Sequence, residues 1–229
     1  ANDAPDAGSD GTGAVTEDAS TSTATGSVSA TDDDDSAAFT YSGDATGTYG
    51  SIAVDSSGAW TYTLDNADAD TTALDASDSA SDAFTLTVSD GTASDTMTVT
   101  ITITGADDDV SAGSDQTGAV TEDASTSTAT GTIAGSDADA DSSLSYSGAA
   151  AGTYGSIAVN TNTGAWTYTL DNSDADTTAL DAGDSVTDTF TLTVTDSASS
   201  ETDTMEVEIT ITGADDDVSA GADQTGAVT

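Results

Sequence analysis

Carboxylates are the side chains of this sequence best equipped for chemistry, and they come in clusters. Asp107, Asp108 and Asp109 stand in a row and recur as Asp215, Asp216 and Asp217, with Asn2 and Asp3 as an altered version near the start. A second group runs from Asp32 through Asp34 to Asp35, and its counterpart is the spaced set Asp137, Asp139 and Asp141. Glu17–Asp18 and Glu122–Asp123 form a third; Asp75 and Asp181 each follow a leucine; Asp90 and Asp196 close runs that contain a phenylalanine. Neighbouring aspartates a few Å apart repel by roughly 1 kcal/mol per close pair even in water. The chain holds 43 acidic residues and no Lys, Arg or His, for a formal net charge of −43. What remains to neutralise a cluster is a cation or a backbone N–H. Hard oxygen ligands on loops suit Ca²⁺, which accepts about six to eight oxygens, better than the small octahedral Mg²⁺. A plainer reading is a solvated acidic surface that keeps the chain soluble. It accounts for the charge but not for its clustering.

The same composition excludes whole classes of function. No cationic surface exists to displace counterions from a nucleic acid. Without Cys or His there are no disulfides and no Cys/His zinc sites, and without Lys there is no amine for an isopeptide staple. An enzyme here would lack the usual general bases, activated nucleophiles and cationic clamps. Serine without a base is inert. Paired carboxylates could serve a glycosidase, but Trp60 and Trp166 alternate with threonine inside apolar runs and read as core. The acidic loops match neither an EF-hand nor a GGxGxD tract, and none of Asn66, Asn160, Asn162 and Asn172 opens a glycosylation sequon. No stretch is long and apolar enough to span a membrane. The expectation is a protein that is not an enzyme and has no nucleic-acid or membrane-inserted partner.

The elements that position the acids repeat. GAVTEDASTSTATG begins at Gly13 and again at Gly118, and YGSIAV at Tyr49 and Tyr154, both 105 residues on. GAWTYTLDN recurs from Gly58 to Gly164, and ITITGADDDVSAG from Ile101 to Ile209, so the spacing drifts to 108. The insertions fall near Asn160–Thr163 and Ser199–Glu201, where turns tolerate them. The reading is a first module over 1–105, a second over 106–213, and the first strand of a third over 214–229; the third copy breaks off, as in an excerpt of something longer. A unit near 100 residues is an ordinary domain size.

Within each module the apolar period is two. Trp60, Tyr62 and Leu64 alternate with threonines, as do Phe84, Leu86 and Val88, and Met97, Val99, Ile101 and Ile103. Further strands are expected over Ala14–Thr16, Thr25–Ala30, Phe39–Ser42 and Tyr49–Val54, with turns at Ser57–Gly58 and Asp90–Gly91. Threonine on the wet face is β-branched and suits a pleated surface. The prediction is all-β: tandem antiparallel β-sandwiches of about seven strands, with Trp60, Tyr62, Phe84 and Ile101 in one core and Trp166, Tyr168, Phe190 and Ile209 in the other.

The segment from Tyr49 to Asp108, YGSIAVDSSGAWTYTLDN and onward to ITITGADD, resembles the VCBS-type repeat of giant bacterial surface proteins and recurs in both copies. Those repeats are similar to cadherin-like modules, so the resemblance implies an Ig/cadherin-like sandwich, an extracellular chain and calcium dependence. It also implies ligand roles. Glu17 and Glu122 match the acid after the first strand, Asp75 and Asp181 the LD aspartate, and Asn2, Asp3 and Pro5, or in changed form Asp107–Asp109, the linker. Asp137 and Asp139, with Asp32 and Asp34 in the first copy, match the DAD motif, and Asp90 and Asp196 the aspartate closing the next long strand. Gly105 stands where the pattern begins its linker with Asp, and Ser77 where it has a second acid after LD, so one of three inter-module ions would be missing.

The function expected is a structural or adhesive tandem repeat of a long secreted surface protein or fibre, stiffened by Ca²⁺ at the junctions. Its partners would be adjacent repeats and other copies in a fibre. Glycan or protein binding by the modules, and a filament joined by donation of the strand at Gly13 or Gly226, are the alternatives.

Overall fold

Inward-pointing Val, Ile, Leu and aromatic residues, alternating with outward Thr, Ser and Ala, form the strands of the described chain, and turns and loops connect them. The structure is a computed structural model and describes residues 2–34 and 38–216; Asp35, Asp217 and the strand expected at Gly226 lie outside them. Contacts divide the chain into two units, Ala1–Asp109 with Ala138–Ser142, and Val110–Asp137 with Ser143–Thr229. Among the described residues no helix is long and apolar enough to cross a membrane.

Unit 1 contains β1 (Gly11–Thr16), β2 (Thr23–Ser27), β3 (Thr40–Ser42), β4 (Ala45–Thr46), β5 (Gly50–Val54), β6 (Ala59–Leu64), β7 (Ser79–Ser89) and β8 (Ser94–Thr104). They form two four-stranded sheets, ordered β1-β8-β7-β3 and β2-β6-β5-β4. Only Gly43 and Asp44 separate β3 from β4, and each joins a different sheet, so together they are one pass that switches sheets. That leaves seven passes, the number expected.

An odd number of passes has a consequence for the ends. β1 pairs with β8 in parallel, Gly11 beside Val99 and Thr16 beside Thr104, while β2–β6, β3–β7, β4–β5, β5–β6 and β7–β8 are antiparallel, as expected. Period-two alternation sets which face a residue takes and is silent on the direction of its partner strand. Because the first and last strands run the same way, the chain enters unit 1 at one pole and leaves at the other. The pairing within one unit also counts against the strand-donation alternative.

β2 ends at Ser27 rather than Ala30. Val28 N turns to Gly58 O at 2.8 Å, and Thr31 leaves to bridge Asp6, with N···O distances of 2.8 and 3.0 Å. The core is as read: Trp60, Tyr62, Phe84 and Ile101 are buried, with Leu86, Val99 and Ile103 around them.

Unit 2 repeats the plan with β9 (Gln116–Thr121), β10 (Thr128–Thr132), β11 (Leu144–Ser147), β12 (Ala150–Ala151), β13 (Gly155–Val159), β14 (Ala165–Leu170), β15 (Ser185–Asp196) and β16 (Thr202–Thr212). The sheets are β9-β16-β15-β11 and β10-β14-β13-β12, and β9 runs parallel to β16. Trp166, Tyr168, Phe190 and Ile209 are buried. The insertion near Ser199 lengthens a hairpin: four residues separate the Ser89–Ser94 pair, and six separate Thr195 from Thr202.

Candidate metal centre

Glu17 follows β1 directly, and its N–H extends the parallel ladder to Thr104 O at 2.9 Å. The ladder turns its side chain inward, where it is 2% exposed. Oε2 accepts from Ala106 N at 3.3 Å, while Oε1 is buried with no hydrogen-bond partner. Burial pushes its pKa up to about 7, opposed by the Ala106 N–H and aided by the charges of Asp108, Asp18 and Asp139. A carboxylate in that position lacks a countercharge. Asp18 beside it adopts a left-handed conformation, φ 49°.

Other expected ligands assemble at the same pole. Asp107 Oδ1 accepts from Ala76 N at 3.0 Å, and Asp75 Oδ1 from Ser77 N at 2.7 Å. The hydrogen bonds from Ser77 hold the Asp75 carboxyl below its ordinary value. Asp139, in the Ala138–Ser142 segment of this unit, is buried, and its Oδ2 accepts from Asp108 N at 2.9 Å. Ala140 N reaches Ala73 O at 3.3 Å, beside the LDA loop. Gly105 explains a departure from the family pattern: a Cβ there would run into the Leu74 and Asp75 carbonyl oxygens. Aspartate does not fit.

The opposite pole of unit 1 gathers Asn2, Asp3, Asp32, Asp34 and Asp90. Asn2 Nδ2 donates to Asp90 Oδ2 at 2.9 Å, Asp3 N to Asp34 Oδ2 at 2.8 Å and Asp34 N to Asp32 Oδ1 at 2.8 Å. Asp32 Oδ2 is buried with no hydrogen-bond partner. Asp90 is held below its ordinary pKa by N–H donors from Ala93 and Thr92 and by Asn2.

Unit 2 repeats the first arrangement. Glu122 is 2% exposed, its N–H bonds Thr212 O at 2.9 Å, and Oε2 accepts from Ala214 N at 3.1 Å. Its Oε1 is again buried without a hydrogen-bond partner. Asp215 Oδ1 accepts from Ala182 N at 3.3 Å, and Asp181 N donates to Asp184 Oδ2 at 3.1 Å. Asp216 is exposed, as are Asp109 and Asp141, and Asp137 is half-buried. Asp196 is almost fully buried and serves its own surroundings, accepting from Ser143 N at 2.7 Å and Ala198 N at 3.2 Å.

The donor set suits a hard divalent cation: it is all oxygen, and it includes buried carboxylate oxygens that no N–H reaches. It is not a finished cage. Among the described residues no group of three acids is placed to hold a metal ion. Ca²⁺ would be held at the first pole by Glu17 with Asp75, Asp107, Asp108 and Asp139, and would supply the positive charge that the sequence lacks.

The main polar residues that the sequence reading passed over are Asp82 and Asp188. Each is buried inside a long strand, β7 or β15, and hydrogen-bonded to a core tyrosine. Parity was the available signal, since Asp82 shares the inward face with Phe84 and Leu86.

The family model described as the bacterial cadherin-like domain matches residues 2–105 and again 107–213. Among solved structures, the chain is similar to the Drosophila N-cadherin EC1-4 fragment at 14% identity and a TM-score of 0.44, over 90% of this chain and 49% of that one. Extracellular cadherin domains 1-4 of protocadherin gamma B7 give 16% and 0.44, over 89% and 49%. An endo-fucoidan hydrolase from glycoside hydrolase family 107 gives 16% and 0.35, over 92% and 29%. The chain thus spans about half the length of those cadherin fragments and under a third of the hydrolase. No curated protein matches the sequence.

Proposed function

The chain belongs to the bacterial cadherin-like domain family, and from that premise we propose that it is a structural and adhesive repeat of a long extracellular protein, stiffened by Ca²⁺. The modules run over 1–105 and 106–213, with 214–229 opening a third. The shared segment from Tyr49 to Asp108 supports placing them with the VCBS-type repeats. The chain is mechanical rather than catalytic: it carries load along its length.

The observation that carries the calcium reading is the repeated buried glutamate. Glu17 and Glu122 each present an unpartnered Oε1 just where the chain leaves its sandwich. In a chain without basic residues, a divalent ion is the countercharge that can reach them. Chain entry and exit at opposite poles support the mechanical part, because such a unit can be strung head to tail without doubling back. Extracellular modules bind Ca²⁺ at about 10⁻⁴–10⁻³ M, so the sites fill outside a cell and stay empty in cytosol.

Melting curves and small-angle scattering in millimolar Ca²⁺ and in excess EGTA, at matched ionic strength, test this. Calcium is expected to raise Tm, by an amount set by mass action at about 2.7 kcal/mol per site at a hundredfold excess over Kd, and to narrow the distribution of chain dimensions. Identical curves would return the acids to the role of solvated surface.

A further inference from the structure

The first strand of unit 1 lies at the edge of its sheet. β1 has one neighbour there, β8, whereas β8 is also paired with β7 over its whole length. A force applied along the chain is therefore passed mainly from β1 to β8 before it reaches the rest of the sandwich.

The parallel pairing decides how that force acts. The chain enters β1 at the pole of Asn2 and Asp90 and leaves β8 at the pole of Glu17 and Asp75. A pull on its two ends drags β1 toward the first pole and β8 toward the second, so the strands slide past each other. The rungs from Gly11–Val99 to Thr16–Thr104 are then strained together, and none can open before its neighbours. An antiparallel pair of end strands would open rung by rung.

The ladder is lengthened at both ends. At the exit, Glu17 N donates to Thr104 O at 2.9 Å. At the entry, Asp10 precedes β1 and supplies a rung with its side chain, Oδ1 accepting from Thr98 N at 2.8 Å. Further back, Ala7 is buried and its N–H donates to Asp95 Oδ2 at 2.9 Å.

Unit 2 repeats each part. β9 lies parallel to β16, and Glu122 N donates to Thr212 O at 2.9 Å. Asp115 Oδ1 accepts from Glu206 N at 2.7 Å, and Asp203 Oδ2 from Ala112 N at 2.8 Å. Thr98 in one unit is Glu206 in the other, yet the rung is kept, because its donor is backbone. None of Asp10, Asp95, Asp115 and Asp203 belongs to the candidate metal centre.

We propose that β1 and β8 form a shear clamp, closed at its entry end by the carboxylates of Asp10 and Asp95, and that this clamp sets the force at which the unit unfolds; β9 and β16 do the same with Asp115 and Asp203. Its use rests on the load-bearing reading above. Its strength needs no cation.

The test is single-molecule pulling of the 229-residue chain, whose lack of Lys and Cys leaves the α-amino group as the single amine and an introduced cysteine as the single thiol. Pulling between that amine and Ser114→Cys, an exposed position beyond unit 1, loads the clamp in shear. Pulling between the amine and Thr92→Cys, exposed in the β7–β8 turn at the entry pole, peels it open. The rupture force of unit 1 is expected to be severalfold higher in the first geometry, in EGTA as in millimolar Ca²⁺. In that geometry Asp10→Ala with Asp95→Ala should lower the force. Asp10→Asn with Asp95→Asn should restore most of it, since an amide oxygen still accepts from Thr98 and Ala7. Tyr62→Phe weakens the core outside the clamp, so it should lower Tm and leave the force near that of the parent, because forced unfolding reads the barrier rather than the equilibrium. The proposal is overturned if the two geometries rupture at the same force, if the alanine pair ruptures like the parent, if the asparagine pair ruptures like the alanine pair, or if Tyr62→Phe lowers the force as much. A melting curve indifferent to calcium would remove the stiffening reading and leave these contrasts in place, so the two fail separately.

Discussion

The Tyr62 hydroxyl donates a 2.9 Å hydrogen bond to Asp82 Oδ2 inside unit 1, and Tyr168 makes the same bond to Asp188 at 2.8 Å in unit 2. Two backbone N–H groups complete each carboxylate: Thr48 and Tyr49 in one unit, Thr153 and Tyr154 in the other. A buried acid is tolerable without a cation when polar hydrogens surround it. The same solution recurs at the strand ends, where Asp95 and Asp203 accept from Ala7 N and Ala112 N at 2.9 and 2.8 Å. Backbone N–H groups stand in for the basic residues that the sequence omits.

Tyr62→Phe should therefore destabilise unit 1 by about 1–3 kcal/mol, the range for leaving a buried acceptor short of a donor. Asp82→Ala should cost more, since it strands the hydroxyl and two N–H groups together. Denaturant melts read both. Burial, then the bond to Asp82 and its charge, pushes the Tyr62 hydroxyl above its ordinary pKa, and Tyr168 behaves alike with Asp188. In an alkaline absorbance titration these two should remain un-ionised above the ordinary tyrosine range, about pH 10, until the fold gives way.

One core contact of unit 2 has no counterpart in unit 1. Gln116 Oε1 accepts from the Trp166 indole N–H at 2.9 Å, and its Nε2 donates to Thr132 O at 2.6 Å. Unit 1 has Gly11 at the corresponding place, where the Met97 side chain comes close. Gln116→Gly should cost unit 2 about 1–3 kcal/mol and shift Trp166 fluorescence, with the unit 1 transition unchanged. Equal loss in both units would mean that the clamp is not local.

Particular residues show what can be read from the sequence alone. Trp60, Phe84 and Ile101 announced their burial through parity with their neighbours, and Glu17 announced itself by following a strand. Asp82 has the same inward parity, but an acid there looks like an interruption until its Tyr62 partner, 20 residues away, is in place. The parallel β1–β8 pair and the early end of β2 at Ser27 depend on partners that periodicity does not encode. Gly105 read as a missing ligand. In the fold it is a packing requirement, because the LDA loop occupies the space a side chain needs.

Gly105→Ala should accordingly destabilise unit 1 by about 1–3 kcal/mol through overpacking. Gly105→Asp, which restores the family's linker pattern, should be no better and should not raise calcium affinity. An increase in affinity measured by calorimetry would show that the loop yields.

Stability without calcium should have an optimum in mildly acidic buffer. Glu17, with its folded pKa near 7 against an ordinary 4.5, holds its proton more tightly when folded. The favourable contribution is complete below about pH 4.5 and is lost as pH rises through 7. Asp90, Asp95 and Asp203 act in the opposite sense: N–H donors depress them below 3.8, so what they contribute is present above that pH and disappears in stronger acid. In EGTA, Tm should fall from pH 5.5 to pH 8. A Tm rising over that interval would contradict the burial of Glu17.

Glu17→Gln separates the two roles open to the acids. The substitution removes a buried charge set among Asp108, Asp18 and Asp139 and keeps an oxygen that can accept from Ala106. In EGTA at pH 8 the variant should melt above the parent, because the ionised carboxylate is a burden with no cation to answer it. In millimolar Ca²⁺ the order should reverse, because a neutral amide is a poorer ligand and the parent gains binding energy that the variant does not. Asp108→Ala, at a half-buried linker position, should lower the calcium-dependent gain while changing the metal-free melt less. A solvated acidic surface predicts otherwise: removing one charge from a chain of −43 relieves repulsion in either buffer, and the variant stays above the parent throughout. The crossing of the two melting orders is thus specific to a resident cation, and its absence would remove Glu17 from the ligand set.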